Sequence, residues 1–271
     1  MRYDVKLGYN PLKEDKKMGI LKVFTFNVRI AVDKGPIDFS LRKHRIAEII
    51  NNEKPDIVGF QEASGSMRSE LDALLDGYCI VGCGRGKDYR GEAAAVAFRK
   101  DKFELIKLDN FWLSATPQIP GSRYGEDQSS CPRITTALLL VDKEGGKPFW
   151  FINTHLDHVG STARLLGTIQ LMQYVSEKSE RCILTGDFNA GPTSKEIRYV
   201  TSNEDIGFID CTAEIDGTFH DYGKLEKPAK IDYIFTNLSC DVSKTVTIPD
   251  EAPNGTYYSD HLAVCAFIEA E

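Results

Sequence analysis

Residues Cys182 to Pro192 read C-I-L-T-G-D-F-N-A-G-P. Cys182, Ile183 and Leu184 form a short apolar run without polar alternation, the pattern of a strand end buried on both faces. The run stops at Thr185-Gly186-Asp187-Phe188-Asn189. Gly186 permits a turn or a close backbone approach to a ligand. Asp187 and Asn189, two apart, put a carboxylate and an amide on one side of the turn past the strand. A hard cation and a phosphoryl oxygen both use such groups. A D-x-N in isolation is an Asx turn that caps the next segment, so the weight of this stretch depends on whether similar strand ends recur.

They do. Leu21 to Phe26 is a strand that ends on Asn27, and Ile57 to Phe60 is one that ends on Gln61-Glu62. Between them, Ser40 precedes a helix-period stretch with Leu41, His44, Ile46, Ile49 and Ile50 on one face, closing before Pro55. Phe149 to Asn153 is a strand that ends on Thr154-His155, and Ala163 to Tyr174 supplies the helix before Cys182. Asn27 and Glu62 are 62 − 27 = 35 residues apart, and His155 and Asp187 are 187 − 155 = 32 apart. Both separations suit a strand-helix-strand unit. Residues 66 to 76 have a helical pattern, strands are expected at 78–83, 93–98, 103–113 and 134–141, and a Gly-, Pro- and Ser-rich loop runs from Ser114 to Pro132. Lys230 to Phe235 alternates around Asp232, and Ser259-Asp260-His261 opens a last strand, Leu262 to Phe267. A carboxylate inside an apolar strand needs a partner to offset desolvation, and a histidine from another strand would serve. Two sheets packed face to face would bring these polar strand ends to one rim.

With 271 residues, 42% hydrophobic and 27% charged, the chain has ample material for a core and the balance of a soluble globular protein. No linker divides it, so a single domain over 19–271 is expected behind a polar N-terminal leader, 1–18. The leader has no apolar segment of secretory type, and no stretch is long and apolar enough for a membrane span. A net charge of −7 argues against a wide basic surface that grips nucleic acid. Cys79, Cys83, Cys131, Cys182, Cys211, Cys240 and Cys265 are odd in number and form no C-x-x-C pair. They suit small core residues in a reducing, cytoplasmic setting better than disulfides or zinc.

In order, the Asn-Val after the first strand, D-I-V-G-F-Q-E at 56–62, N-T-H-L-D-H at 153–158, G-D-F-N at 186–189, K-I-D-Y-I-F at 230–235 and S-D-H at 259–261 resemble the motifs of the endonuclease/exonuclease/phosphatase superfamily. That is the fold of pancreatic deoxyribonuclease, abasic-site endonucleases, inositol polyphosphate 5-phosphatases, sphingomyelinases and nocturnin-like deadenylases. The resemblance spans residues 21 to 268. It implies an α/β four-layer sandwich, two packed, mostly antiparallel β-sheets flanked by helices, and a phosphoesterase dependent on Mg²⁺ or Mn²⁺. It implies that Asn27 and Glu62 hold the metal, with Asp260 approaching it. Asp187 would orient or deprotonate the attacking water, Asn189 would bind phosphate, and His155 would contact the phosphoryl group. Asp232 would hold His261 in its working tautomer. W-L-S at 112–114, C-P-R at 131–133 and T-F-H-D-Y at 218–222 look like the bacterial branch nearest the nocturnin and deadenylase group.

Each of these residues has a plainer role open to it: Asn27 a strand cap, Glu62 a surface charge, His155 a satisfied buried imidazole. Together those plain roles are a poor account of five strand ends. Asp157 either binds a leaving group or anchors its loop with Arg164, and His158 stands beside it. Arg85, Arg133 and His220 are placed near substrate, with salt-bridge roles as the competing reading. Arg85, Lys87, Arg90, Arg123 and Arg133 cluster in loops that could close over one compact ligand, and no interleaved basic and aromatic stretch tracks a polynucleotide. A small phosphoester substrate and a monomeric chain are therefore expected, with a nuclease as the alternative and an inactive binding module as the remoter one.

Overall fold

The computed structural model describes residues 19–125, 127–178 and 181–270; the leader expected at 1–18 lies outside them. Thirteen strands and four α-helices occur among the described residues. The strands are β1 Ile20–Asn27, β2 Ile57–Ser64, β3 Tyr78–Val81, β4 Glu92–Arg99, β5 Phe103–Trp112, β6 Ile134–Asp142, β7 Phe149–His155, β8 Cys182–Asp187, β9 Ile209–Asp210, β10 Asp232–Thr236, β11 Ser239–Cys240, β12 Val246–Thr247 and β13 Val264–Glu269. The helices are α1 Phe39–Glu53, α2 Gly65–Leu74, α3 Ser161–Ser176 and α4 Lys195–Thr201.

One sheet has the order β11-β13-β1-β2-β4-β3, with β12 also on β13, and the other has the order β5-β6-β7-β8-β10-β9. Only β1 with β2 and β7 with β8 run parallel; the other pairs are antiparallel. Each parallel pair is joined through a helix, as the two spacings predict, and each brings two strand C-termini to the same rim.

Period-two alternation sorts the side chains of these doubly covered sheets into separate cores. In β1, Leu21 and Val23 point between the sheets, where they meet Leu138, Phe149, Phe151 and Ile183. Phe24 and Phe26 point outward to Ile46 and Ile50 of α1 and Met67 and Leu71 of α2. On the far side, Ile152, Leu184 and Phe235 pack under Leu171, Met172 and Val175 of α3 and Ile197 and Val200 of α4. Three apolar cores between four layers make the sandwich that the motifs imply.

Helix α1 departs from the expected face. Its cap is Asp38, whose side chain accepts from Ser40 N, and the buried residues are Phe39, Arg42, Ile46, Ala47 and Ile50, while Leu41 and His44 are exposed. The apolar spacing alone missed Arg42, which is fully buried. Its guanidinium donates to the carbonyls of Val28, Arg29, Ile37 and Tyr258. Four acceptors satisfy a cation that no periodicity rule would place inside. The last strand also begins later than expected, because Leu262 N bonds Thr218 O before β13 starts. The cysteines form no disulfide among the described residues, with Cys182, Cys211 and Cys265 buried and the others half-buried.

A polar staple crosses the apolar interface between the sheets. Asn153 of β7 donates from Nδ2 to the carbonyls of Phe60 and Ala95 at 2.8 Å, and its Oδ1 accepts from Gln61 Nε2 at 2.7 Å and Thr185 Oγ1 at 3.1 Å. The close approach requires Gly59, where a Cβ would come within 2.6 Å of Asn153 Oδ1. Asn153→Ala should destabilise the fold by about 2–4 kcal/mol, since it strands several buried polar groups at once. Chemical denaturation checks this, and a loss under about 1 kcal/mol would count against the staple.

Candidate active site

The site is built where β1, β2, β7 and β8 end and β10 begins. Register does most of the positioning: β7 and β8 pair so that His155 lies opposite Asp187, and β8 and β10 pair so that Asp187 lies opposite Asp232. Glu62 is turned toward the cleft by an irregularity in the β2–β4 pairing between Phe60 and Ala63, where its φ is 61°. A bulge of this kind re-aims a side chain at a sheet rim. Gly186 is explained by strand packing rather than by ligand approach: a Cβ there would lie 2.9 Å from Thr154 Cγ2.

Asn27 donates from Nδ2 to Glu62 Oε1 at 3.1 Å and to Asp187 Oδ2 at 3.0 Å, so the amide ties the two carboxylates together. Glu62 Oε2 accepts from Ile30 N at 2.8 Å. Asp187 is 2% exposed; its Oδ1 accepts from Asn189 N at 2.8 Å, and its Oδ2 lies 3.6 Å from His155 Nε2 and 3.8 Å from His261 Nε2. Burial and the nearby Asp232 charge push the Asp187 carboxyl up to about 7. Asn189, at φ 48°, donates from Nδ2 to Leu156 O.

His261 Nδ1 lies 2.8 Å from Asp232 Oδ2. Burial opposes its protonation, but the carboxylates of Asp232, Asp187 and Asp260 overcome that and raise it to about 10. His155 responds oppositely: burial, then the guanidiniums of Arg133 and Arg85, hold it well below the usual imidazole range. The two imidazoles that flank Asp187 are thus driven to different protonation states. Asp260 is 5% exposed, with Arg29 Nε at 3.7 Å, and burial together with the charge of Glu62 raises its carboxyl.

Asn27, Glu62 and Asp260 offer hard oxygen donors, and the two carboxylates repel each other in a partly desolvated place. That donor chemistry fits Mg²⁺ or Mn²⁺ far better than a soft metal. Two further groups could hold a cation, Glu62 with Glu92 and His155, and Asp187 with Asp232 and His261, each with ligand atoms within 4.8 Å of one another.

A cleft of about 370 Å³ opens beside this cluster, lined by Glu62, His155, Asp187 and Asn189 together with Arg85, Arg133 and His158. Neither Asp157 nor His220 lines it. Asp157 accepts from Ser129 N and Oγ, Val159 N and Gly160 N, so its carboxylate ties the loop after β7 to the one that carries Ser129. Its partner Arg164 contributes through the Asp157 carbonyl and pairs its charge with Glu196 instead. His220 accepts at Nδ1 from Gly223 N and packs on Tyr257. The sequence reading missed Arg29 and Glu92, which also line the cleft. Glu92 carried the signal used for Glu62, a carboxylate at the margin of an apolar strand, while Arg29 gave none.

A four-layer α/β sandwich that gathers oxygen donors and an Asp-His pair at one rim is the architecture of metal-dependent phosphoric ester hydrolases. The chain belongs to the Endonuclease/Exonuclease/phosphatase family, whose model matches residues 24–261, and it is a hydrolase of that kind. Among solved structures it is similar to the endonuclease/exonuclease/phosphatase of Bacteroides vulgatus, at 33% identity and TM-score 0.82, over 94% of this chain and 100% of that one. It is also similar to the Bacteroides thetaiotaomicron mannosyl-6-phosphatase, at 28% identity and TM-score 0.79, over 92% and 99% of the two chains. The human nocturnin catalytic domain shares the fold, at 21% identity and TM-score 0.69, over 93% and 95%. An uncharacterized protein, L388, of Acanthamoeba polyphaga mimivirus is 24% identical over 84% of this chain and 91% of its own length. No helix among the described residues is long and apolar enough to cross a membrane.

The anchoring of Asp157 has a pH signature. Burial works against its ionisation, but the N–H groups of Gly160, Ser129 and Val159 and the Ser129 hydroxyl outweigh it and hold the carboxyl well below its ordinary value. A depressed folded value means stability that is present above the unfolded value, about 4, and is lost as pH falls through the folded one. Asp157→Asn should therefore destabilise the protein by about 2 kcal/mol at neutral pH, with the gap to wild type narrowing in acid. Denaturation midpoints at both pH values test it; a gap that widened on acidification would contradict the assignment.

Proposed function

We propose that this chain hydrolyses a small phosphomonoester or phosphodiester by in-line attack of water, with Mg²⁺ or Mn²⁺ as its metal, as a single domain over residues 19–271. The observation that carries the reading is the cleft itself. Its volume suits one compact phosphorylated molecule. It lies in a protein of net charge −7, which has little to offer a long polyanion. The similarity to a mannosyl-6-phosphatase adds support for a small substrate.

Asn27, Glu62 and Asp260 would hold the cation, which supplies charge neutralisation at the phosphoryl oxygens. Asp187, buried and raised toward neutrality, orients the water and takes its proton. Asn189 and His155 contact the phosphoryl group; His155, held neutral, binds without adding charge beside Asp187. His261 presents its Nε2 proton to a phosphoryl oxygen while Asp232 fixes Nδ1.

Turnover of p-nitrophenyl phosphate, bis-p-nitrophenyl phosphate, sugar phosphates, single-stranded DNA, RNA and duplex DNA, with Mg²⁺, Mn²⁺ or chelator, tests the reading. The expected result is chelator-sensitive hydrolysis of small phosphoesters that is nearly indifferent to salt. Efficient DNA cleavage that falls steeply with salt would favour a nuclease instead.

The His261 pair gives a second expectation. Asp232→Asn should lower kcat by about 10²–10⁴-fold, as loss of the correct tautomer does elsewhere, with little change in unfolding midpoint. Equal turnover by wild type and variant would take His261 out of the chemistry.

A further inference from the structure

Arg133 immediately precedes β6 and is 3% exposed, yet its charge is poorly compensated. Its Nε reaches Asp157 Oδ2 only at 3.4 Å, the longest contact that carboxylate makes, and Asp157 is already engaged by four other donors. Its Nη2 lies 2.8 Å from His158 Nδ1. A guanidinium has no acceptor, so it donates, and His158 Nδ1 must carry the lone pair. That leaves His158 as a neutral imidazole with its proton on Nε2. The third nitrogen of Arg133, Nη1, is buried without a hydrogen-bond partner among the described residues.

A buried guanidinium N–H without a protein partner is satisfied by a water, an ion or a ligand. Arg133 lines the cleft together with His158 and Arg85. It also borders a cavity of about 10 Å³ shared with Arg85, Glu92 and His155, at the lower limit for one water. Glu92 pairs directly with Arg85, and its charge reaches Arg133 without a hydrogen bond among the described residues. Arg133, His158 and Arg85 thus line one cleft, with Nη1 of Arg133 buried and the Arg85 guanidinium shared with Glu92.

We propose that Arg133, His158 and Arg85 form a second anion subsite, which takes an oxyanion, phosphate or carboxylate, carried by the substrate next to its scissile phosphate. The proposal rests on the hydrolase reading for the identity of the occupant, but the subsite itself does not. A fixed, buried guanidinium suits a planar or tetrahedral oxyanion with little entropy to lose on binding.

Two measurements separate these levels. In chelator, without metal, inorganic phosphate binding is followed by titration calorimetry for wild type, Arg133→Met and Arg133→Lys. Wild type should bind in the millimolar range and Arg133→Met should lose about tenfold in affinity, with partial recovery in Arg133→Lys. Should Arg133→Met fail to fold, His158→Ala, which removes one donor from a half-buried loop residue, should lose about threefold. Undiminished phosphate binding by folded variants, or none by wild type, overturns the subsite. With Mg²⁺, wild-type KM is then compared for glucose 6-phosphate, glucose 1,6-bisphosphate and 6-phosphogluconate. A KM about tenfold lower for the bisphosphate, for the carboxylate, or for both supports the proposal and identifies the anion. Equal KM values for all three overturn the second-anion substrate while leaving the hydrolase standing. No turnover of any of them, with phosphate still bound through Arg133, overturns the hydrolase reading for these esters and leaves the subsite standing.

Discussion

A carboxylate sealed from water at the end of a strand is unfavourable unless donors surround it, and Asp187 imposes that condition on the whole molecule. Its hydrogen-bond donors come from β1 through Asn27 and from the following turn through the backbone of Asn189, and two imidazoles stand within 3.6 and 3.8 Å of it. Strands from both sheets must therefore end at fixed heights relative to one another. A one-residue slip of β7 or β10 against β8 would turn His155 or Asp232 to the opposite face. The interior polar bridge through Asn153 serves the same end, since it resists sliding of one sheet over the other just behind the site.

The electrostatics of the cleft follow a similar logic of balance. A divalent cation and the guanidiniums of Arg29, Arg85 and Arg133 in one confined space would repel each other strongly in low dielectric. Glu62 and Asp260 stand on the side where the metal is expected, and Glu92 and Asp157 stand beside Arg85 and Arg133. Burial, and after it the Arg133 and Arg85 guanidiniums, keep His155 uncharged, while the carboxylates around His261 hold that imidazole protonated.

Much of this was legible in the sequence because doubly buried strands advertise themselves as apolar runs, and polar residues at their ends stand out. Asn27, Glu62, His155, Asp187 and Asp232 all occupy such ends, and the structure brings them together. What stayed hidden depends on tertiary partners. Arg42 is a buried cation only because four carbonyls from distant turns converge on it, and no local pattern encodes that. Leu41 and His44 fit the helical period by spacing, but the face actually covered is decided by where the sheet lies. Asp157 and His220 are of the right chemical type for a site, yet hydrogen bonds from Ser129, Val159 and Gly160 engage the first and one from Gly223 engages the second.

The geometry of the first sheet has a consequence for how the protein comes into being. β1 is flanked by β2 on one side and by β13 on the other, and Ser259 Oγ donates at 2.6 Å to the carbonyl of Asn27 across 232 residues of chain. The strand ends that carry Asn27 and Asp260 therefore cannot meet until the chain has been made at least to residue 260. Until then β1 has an open edge, ready to pair with any available strand. Closure of the sheet is a long-range event of high contact order, and such events are slow. Catalytic competence is in this sense a late step of folding: a nascent or proteolytically shortened chain can hold well-formed helices and most of the second sheet while it still lacks a complete centre.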